Sequence, residues 1–228
     1  MAAQKQYLNS ILQGLPQGEF ASLVSELKEV QLFKGAVLFE RDTIAPSVYF
    51  PIDSVISFLG DTGQGGSIEV WAVGSEGLAG IGGLLGKTKP FRGVVQVPGK
   101  AFVSKASAFR KSFQRHSEFH YAVLAYYDDL LLQISYLGIC NNLHPIEQRF
   151  CRWLLMIRDR TRTNVLKFTQ EAIAAILGTR RATISEAAAS LQAAGLISYT
   201  PGSITIRSRK ALEKTACRCY KLMNARKV

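Results

Sequence analysis

No cysteine occurs before Cys140, and the four present, Cys140, Cys151, Cys217 and Cys219, contain no C-x-x-C pair. No two histidines sit at zinc-ligand spacing, and Cys217-x-Cys219 is too sparse for a site by itself. Reduced thiols in a cytoplasmic protein are therefore expected, with no metal and no cofactor. Residues 1–10 lack the apolar core of a secretion signal. The most apolar stretch, Tyr121 to Ile139, is broken by Asp128, Asp129 and Gln133, so no membrane span is expected. Enzyme signatures are also missing. There are no paired carboxylates in an acid/base setting, no Ser-His-Asp or Cys-His constellation and no phosphate loop. Gly80-x-Gly82-Gly83 lacks the βαβ setting of a dinucleotide fingerprint.

Acidic residues are scarce in one region only. Residues 144–228 hold 16 Lys+Arg against 5 Asp+Glu, whereas residues 1–143 hold 12 of each. The whole net charge of +11 thus lies in the last 85 residues. A basic module joined to a neutral one points to a polyanionic partner for the C-terminal part. Glycine is skewed the other way, with 15 of 19 before residue 100. Turn-rich β structure early and helix later follow from that bias.

Tyr7, Leu8, Ile11 and Leu12 share a helical face, as do Phe20, Leu23, Val24 and Leu27 after Pro16. Short β-branched or aromatic runs then predict strands at residues 31–33, 36–39, 47–51, 55–59, 67–73, 93–97 and 101–105. Asp61 to Gly66 reads as a hairpin loop, and residues 74–86 as a Gly-rich connection. Strands at this spacing suit an antiparallel roll. Ser117 is a plausible N-cap for a helix through Asn142. Within it Val123, Tyr127, Leu130, Ile134 and Leu137 keep the 4-3-4-3 spacing of a coiled-coil seam, which a two-fold dimer would use. His144-Pro145 interrupts that helix. A further helix is expected to about Asp159, followed by a polar connection over residues 160–164.

Thr169 can cap a short helix whose apolar face is Ile173, Ala174, Ile176 and Leu177. Gly178 supplies a tight turn. A second helix puts Ile184, Ala188 and Leu191 inward, which leaves Arg180, Arg181, Thr183, Ser185 and Glu186 near its start and outer face. Thr169, Gln170 and Thr179 complete the candidate DNA-contacting set. In a helix-turn-helix the N-terminal residues of the second helix reach base edges in the major groove. Arginine can hold guanine O6 and N7 bidentately. Glu186 can accept from a cytosine amine or pair with a nearby arginine. After Ala194-Gly195, residues 196–199 and 203–206 alternate about Thr200-Pro-Gly202. They predict a β-hairpin wing with Tyr199 and Arg207 at the DNA backbone. A final helix is expected from Ser208 to about Met223.

The run from Thr169 through Gly178, Arg181-Ala-Thr-Ile184 and Leu191-Gln-Ala-Ala-Gly-Leu-Ile197 resembles the Crp-Fnr family of bacterial transcription regulators. Glu147-Gln-Arg, Arg152-Trp-Leu-Leu155 and Ala216-Cys-Arg-Cys-Tyr220 share the likeness. It is strong over residues 144–220 and weaker before them. The resemblance implies an α+β protein: a β-roll sensor like a cyclic-nucleotide-binding jelly roll over residues 1–116, a dimerisation helix over 117–143, and a winged helix-turn-helix over 144–228. It implies a homodimer on a two-fold symmetric operator in double-stranded DNA. RNA polymerase and an unidentified small-molecule effector are further candidate partners.

Two departures stand out. Cyclic-AMP-binding members carry a Gly-Glu-Leu segment and a later Arg-Ser pair. Here Gly80, Ile81, Gly82 and Gly83 occupy the first region, and Arg92 is followed by Gly93. Glu76 is the sole carboxylate between Gly74 and Lys100. A sensor that does not take cyclic AMP is therefore expected, with these seven residues lining either an anion pocket or a structural turn. In the second helix Ala182 and Glu186 replace the residues that cyclic-AMP-responsive relatives use to read DNA, so a different half-site is expected. The iron–sulfur branch uses cysteines near the N-terminus, and none is present. His116, His120 and His144 are isolated and read as ordinary surface or core histidines. The competing reading is a module regulated by a cyclic nucleotide or another small molecule, whose main role is not transcription.

Overall fold

A computed structural model describes residues 9–63 and 66–224. The helical positions Tyr7 and Leu8 and part of the 61–66 loop lie outside these. The chain divides into two compact units, residues 1–66 with 70–128, and residues 67–69 with 129–228. The division falls inside one continuous helix.

The first unit begins with α1 (Ser10–Gln13) and α2 (Gln17–Ser25). Asn9 caps α1 by accepting from Ile11 N at 3.1 Å. It is fully buried, and its Nδ2 donates to the Pro51 and Gly77 carbonyls. A buried amide satisfied on both ends fixes the helix to the strands behind it. Ile11 and Leu12 are buried in α1, as expected from their spacing.

The strands follow as β1 (Lys28–Leu32), β2 (Val37–Phe39), β3 (Ser47–Pro51), β4 (Val55–Asp61) and β5 (Ser67–Val73). A short helix α3 (Gly82–Leu85) precedes β6 (Arg92–Val97) and β7 (Gly99–Lys105). They form two sheets, ordered β1-β7-β3 and β2-β6-β4-β5. The registers of β1 and β3 on β7, and of β2 and β4 on β6, are antiparallel. Val48 and Phe50 of β3, Val55 and Ile56 of β4, Val95 of β6 and Ala101 of β7 are buried. Each large aliphatic or aromatic side chain removed from water contributes about 1.5–3 kcal/mol. Phe33 does not extend β1; it is exposed. The Gly-rich connection is not wholly irregular, because α3 makes one turn that ends at Gly86 with φ +62°.

Helix α4 (Ala106–Arg115) has no counterpart in the sequence expectations. Only Phe109 and Phe113 give it an apolar edge. Phe109 packs edge-on against Phe119, with ring centroids 5.5 Å apart. Helix α5 (Ser117–Leu143) then runs 27 residues, and Ser117 is its first residue rather than its cap.

The second unit continues with α6 (Ile146–Thr161), β8 (Val165–Leu166), α7 (Gln170–Leu177), α8 (Arg181–Ala193), β9 (Ile197–Thr200), β10 (Ser203–Ile206), α9 (Arg209–Thr215) and α10 (Cys219–Asn224). The sheet order is β8-β10-β9. Phe150, Leu154, Leu155, Ile157, Ile173, Ile184 and Leu191 form its core. Helix α6 reaches past Asp159 because Arg160 is buried and donates to Gln133 on α5, while Thr161 bonds back to Ile157 O. The chain turns at Arg162 with φ +54°.

The final segment is two helices, not one. Ala216 is extended, with ψ 149°. Cys217 and Cys219 are both buried. Residues i and i+2 face nearly opposite ways on a helix, so one continuous helix could not turn both inward.

Candidate nucleic-acid interface

Local chemistry shapes the α7–α8 pair. The Thr169 hydroxyl accepts from Ala172 N at 3.2 Å and caps α7. Gly178 adopts φ +62°, and Thr179 N returns to Ala174 O at 3.0 Å. That left-handed stop is open to glycine and costly for residues with a Cβ. Ile173, Ala174 and Leu177 of α7 are buried, as are Ile184, Ala187, Ala188 and Leu191 of α8. The alanines let the two helices approach closely.

The start of α8 is built differently from its neighbours. Thr169 and Ser208 cap α7 and α9 with their side chains, but Arg180 at the start of α8 supplies no such bond. The first turn of α8 carries no acidic residue. Its leading N–H groups and positive dipole end are thus left for an outside acceptor. Gly178, Thr179, Arg180 and Thr183 line a shallow depression there. Arg180, Arg181, Ser185 and Glu186 are exposed, and Thr179 and Thr183 are half-buried. Arg181 Nε pairs with Glu171 Oε1 of α7 at 2.7 Å. Gln170 is half-buried at the head of α7.

The hairpin β9–β10 closes on Thr200-Pro-Gly202, with Ser203 opposite Thr200. Gly202 has φ +77°. Tyr199 N donates to Gln192 Oε1 at 2.7 Å, which ties the hairpin to α8. Tyr199 itself is half-buried and Arg207 exposed.

The seven candidate effector residues are held by the first unit's own packing. Gly80 has φ +99°, and a Cβ there would run into the Ser47 carbonyl. A Cβ on Gly83 would meet the Ala45 carbonyl, and one on Gly93 would overlap the Phe39 ring. Ile81 and Gly82 begin α3. Arg92 pairs with Glu40 at 3.1 Å, and Glu76 accepts from Gly74 N at 3.1 Å. An aromatic row of Phe39, Phe58, Trp71 and Phe91 crosses the same sheet, with Phe58 and Trp71 stacked at 4.3 Å.

On α5, Val123 and Leu130 are buried within the chain, while Tyr127, Ile134 and Leu137 are half-buried. The outward stripe is offset from the expected seam. Tyr121, Leu124 and Leu131 are 70%, 53% and 65% exposed. With Asp128, Ser135, Gly138 and Asn142 they keep an unbroken 3-4 spacing. A Cβ on Gly138 would meet nothing within 4 Å.

Sequence spacing also missed one grouping. His144 and the thiols of Cys140, Cys217 and Cys219 appear isolated along the chain, yet their ligand atoms all lie within 4.8 Å of one another. The i, i+4 spacing of Cys140 and His144 was a visible signal that they share a helix face.

A helix, a left-handed glycine turn, a second helix with an open N-terminus and a β-hairpin define a winged helix-turn-helix DNA-binding module. Residues 148–215 match the family model of the Crp-like helix-turn-helix domain. No match is found among curated proteins. Solved structures share the fold. FixK2 from Bradyrhizobium japonicum superposes with a TM-score of 0.71 at 15% identity, covering 84% of this chain and 98% of that one. TTHB099, a CRP-family transcriptional regulator from Thermus thermophilus, gives 0.68 at 18% identity, covering 83% and 96%. The c-di-GMP-responsive global regulator CLP of Xanthomonas campestris gives 0.68 at 14% identity, covering 85% and 100%. Residues 148–215 thus carry a Crp-like helix-turn-helix domain, and the chain as a whole shares the fold of these solved structures. No helix among the described residues is long and apolar enough to cross a membrane.

Proposed function

We propose that the protein binds a two-fold symmetric DNA site as a homodimer and reads each half-site with α8. The observation that carries this is the uncapped, acid-free start of α8 beside Arg180 and Arg181. Phosphate would sit on the helix N-terminus and Arg180. Arg181, Thr183, Ser185 and Glu186 would face base edges. Thr169, Gln170, Thr179 and Tyr199 would fix the docking angle through the backbone. The exposed stripe Tyr121, Leu124 and Leu131 would form the dimer seam, with Tyr127, Ile134 and Leu137 at its flank. Gly138 would permit close approach of the paired helices.

The first unit acts in this reading as a sensor for an effector other than cyclic AMP. Arg92 is engaged by Glu40, Glu76 by a backbone N–H, and Gly93 lies against Phe39. Arg92 and Glu76 thus already have partners in the region where the family resemblance places the phosphate and ribose contacts. Selection of bound sites from random DNA tests the proposal. The expected product is an inverted repeat with half-sites about 10 base pairs apart, one helical turn. Recovery of sequences without two-fold symmetry would overturn the dimeric reading.

A further inference from the structure

The two ends of the second unit meet in a cluster that DNA binding does not use. Cys140 and His144 lie one helical turn apart at the end of α5, where His144 N bonds to Cys140 O at 3.1 Å. Cys217 comes from the turn between α9 and α10, and Cys219 is the first residue of α10; both are buried. Cys140 Sγ lies 3.3 Å from Cys217 Sγ, and Cys219 Sγ lies 3.7 Å from His144 Nδ1. The three cysteines are buried with Met223, and Tyr136, Leu137 and Met156 pack against them.

We propose that Cys140, His144, Cys217 and Cys219 bind one zinc ion as a closed, tetrahedral Cys3His site. Zinc bonds of about 2.3 Å to sulfur and about 2.0–2.1 Å to nitrogen place tetrahedral ligand atoms roughly 3.6–3.8 Å apart. The ligand atoms lie between 3.3 and 4.8 Å apart, a range that contains that spacing, so small side-chain rotations complete the site. Four protein ligands leave no open position, which marks a structural rather than a hydrolytic zinc. The compact set suits a single ion. A two-iron cluster would divide the four ligands between separated metal atoms.

Charge supplies a second, independent argument. Arg152 is 3% exposed, and among the described residues no carboxylate pairs with it. Its Nη1 reaches only Met156 Sδ at 3.3 Å, and its Nε has no partner. It lies close enough to Cys140, Cys217 and Cys219 to act on each electrostatically. A buried guanidinium without a counter-charge is costly. One zinc dication, three thiolates and a neutral imidazole carry a net single negative charge, which Arg152 balances. Four neutral ligands would leave the guanidinium alone. Loading releases the thiol protons to solvent and changes no oxidation state.

The full chain, purified without a polyhistidine tag, is analysed for metals. About one zinc per chain is expected, lost on treatment with a thiol-specific mercurial. Cobalt(II) exchanged into the site should show thiolate-to-metal charge transfer and the strong visible bands of tetrahedral cobalt. The C140S/C219S variant should lose the metal, while Cys151→Ser, outside the cluster, should keep it. Zinc-free protein, protein carrying iron, or a Cys140–Cys217 disulfide found by mass spectrometry after thiol blocking would each overturn the proposal. Metal content of the native chain decides the matter even where a variant fails to fold.

Discussion

Arg181 Nε donates to Glu171 Oε1 at 2.7 Å, so the first residue of α8 is tied to the helix before it. To reach a base, Arg181 must exchange that carboxylate for guanine. Both side chains are more than half exposed, so the pair is worth at most about 1 kcal/mol and is readily broken. Arg181→Ala is expected to weaken binding to the selected site by about 1–3 kcal/mol and to relax preference at one base pair per half-site. Glu171→Gln should strengthen binding slightly. Fluorescence anisotropy on sites substituted one pair at a time reads both effects. Equal loss on every sequence would make Arg181 a phosphate contact.

Affinity should fall steeply with salt. The excess positive charge lies in residues 144–228, and each phosphate neutralised lowers the slope of log K against log salt by about 0.9. Arg180→Ala should make that slope shallower by roughly one unit. A flat salt response of the native protein is incompatible with backbone docking.

The two faces of α5 separate stability from assembly. Leu124→Glu and Leu131→Glu change exposed positions and should yield a folded monomer by sedimentation, with weaker DNA binding. Val123→Ala removes a fully buried side chain. It should destabilise the chain by roughly 1–3 kcal/mol and leave the dimer otherwise intact. If the glutamate variants stay dimeric with unchanged affinity, the seam lies elsewhere.

A buried-edge network joins α6 to the last two helices. Asp159 accepts from Arg209 Nη1 at 2.7 Å and from the Tyr220 hydroxyl, and Arg209 Nη2 donates to that hydroxyl at 3.0 Å. Burial, and then the Asp159 carboxylate, push the Tyr220 phenol above its usual range, so it stays protonated as the donor. Asp159→Ala strands the Tyr220 hydroxyl, while Arg209 keeps Glu213, and should cost about 1–3 kcal/mol of unfolding free energy, whereas Tyr220→Phe should cost about 1 kcal/mol. Urea unfolding followed by tryptophan fluorescence measures both.

Features made by neighbouring residues were legible in the sequence. Thr169, Gly178, Gly195 and Gly202 act within a few positions of themselves, so the caps, turns and wing followed from local chemistry. On α5 the expected period is present, but Val123 and Leu130 turn inward while Leu124 and Leu131, equally apolar, stay exposed. Only packing decides which pair meets the chain's own core. Helix α4 was hidden because two phenylalanines in a polar segment make a weak period. The Cys140–Cys217 contact spans 77 residues, a separation that motif spacing cannot bridge. The break at Ala216 follows from that contact rather than from a Pro or Gly.

That same contact brings two distant points of the second unit together, Cys140 and Cys217. The 140–217 segment is thereby closed like a clasped bracelet. Segments with adjoining ends tolerate transplantation and circular permutation. The segment between the two thiols, which carries α7, α8 and the hairpin, is closed on itself and could be reopened elsewhere without parting its ends.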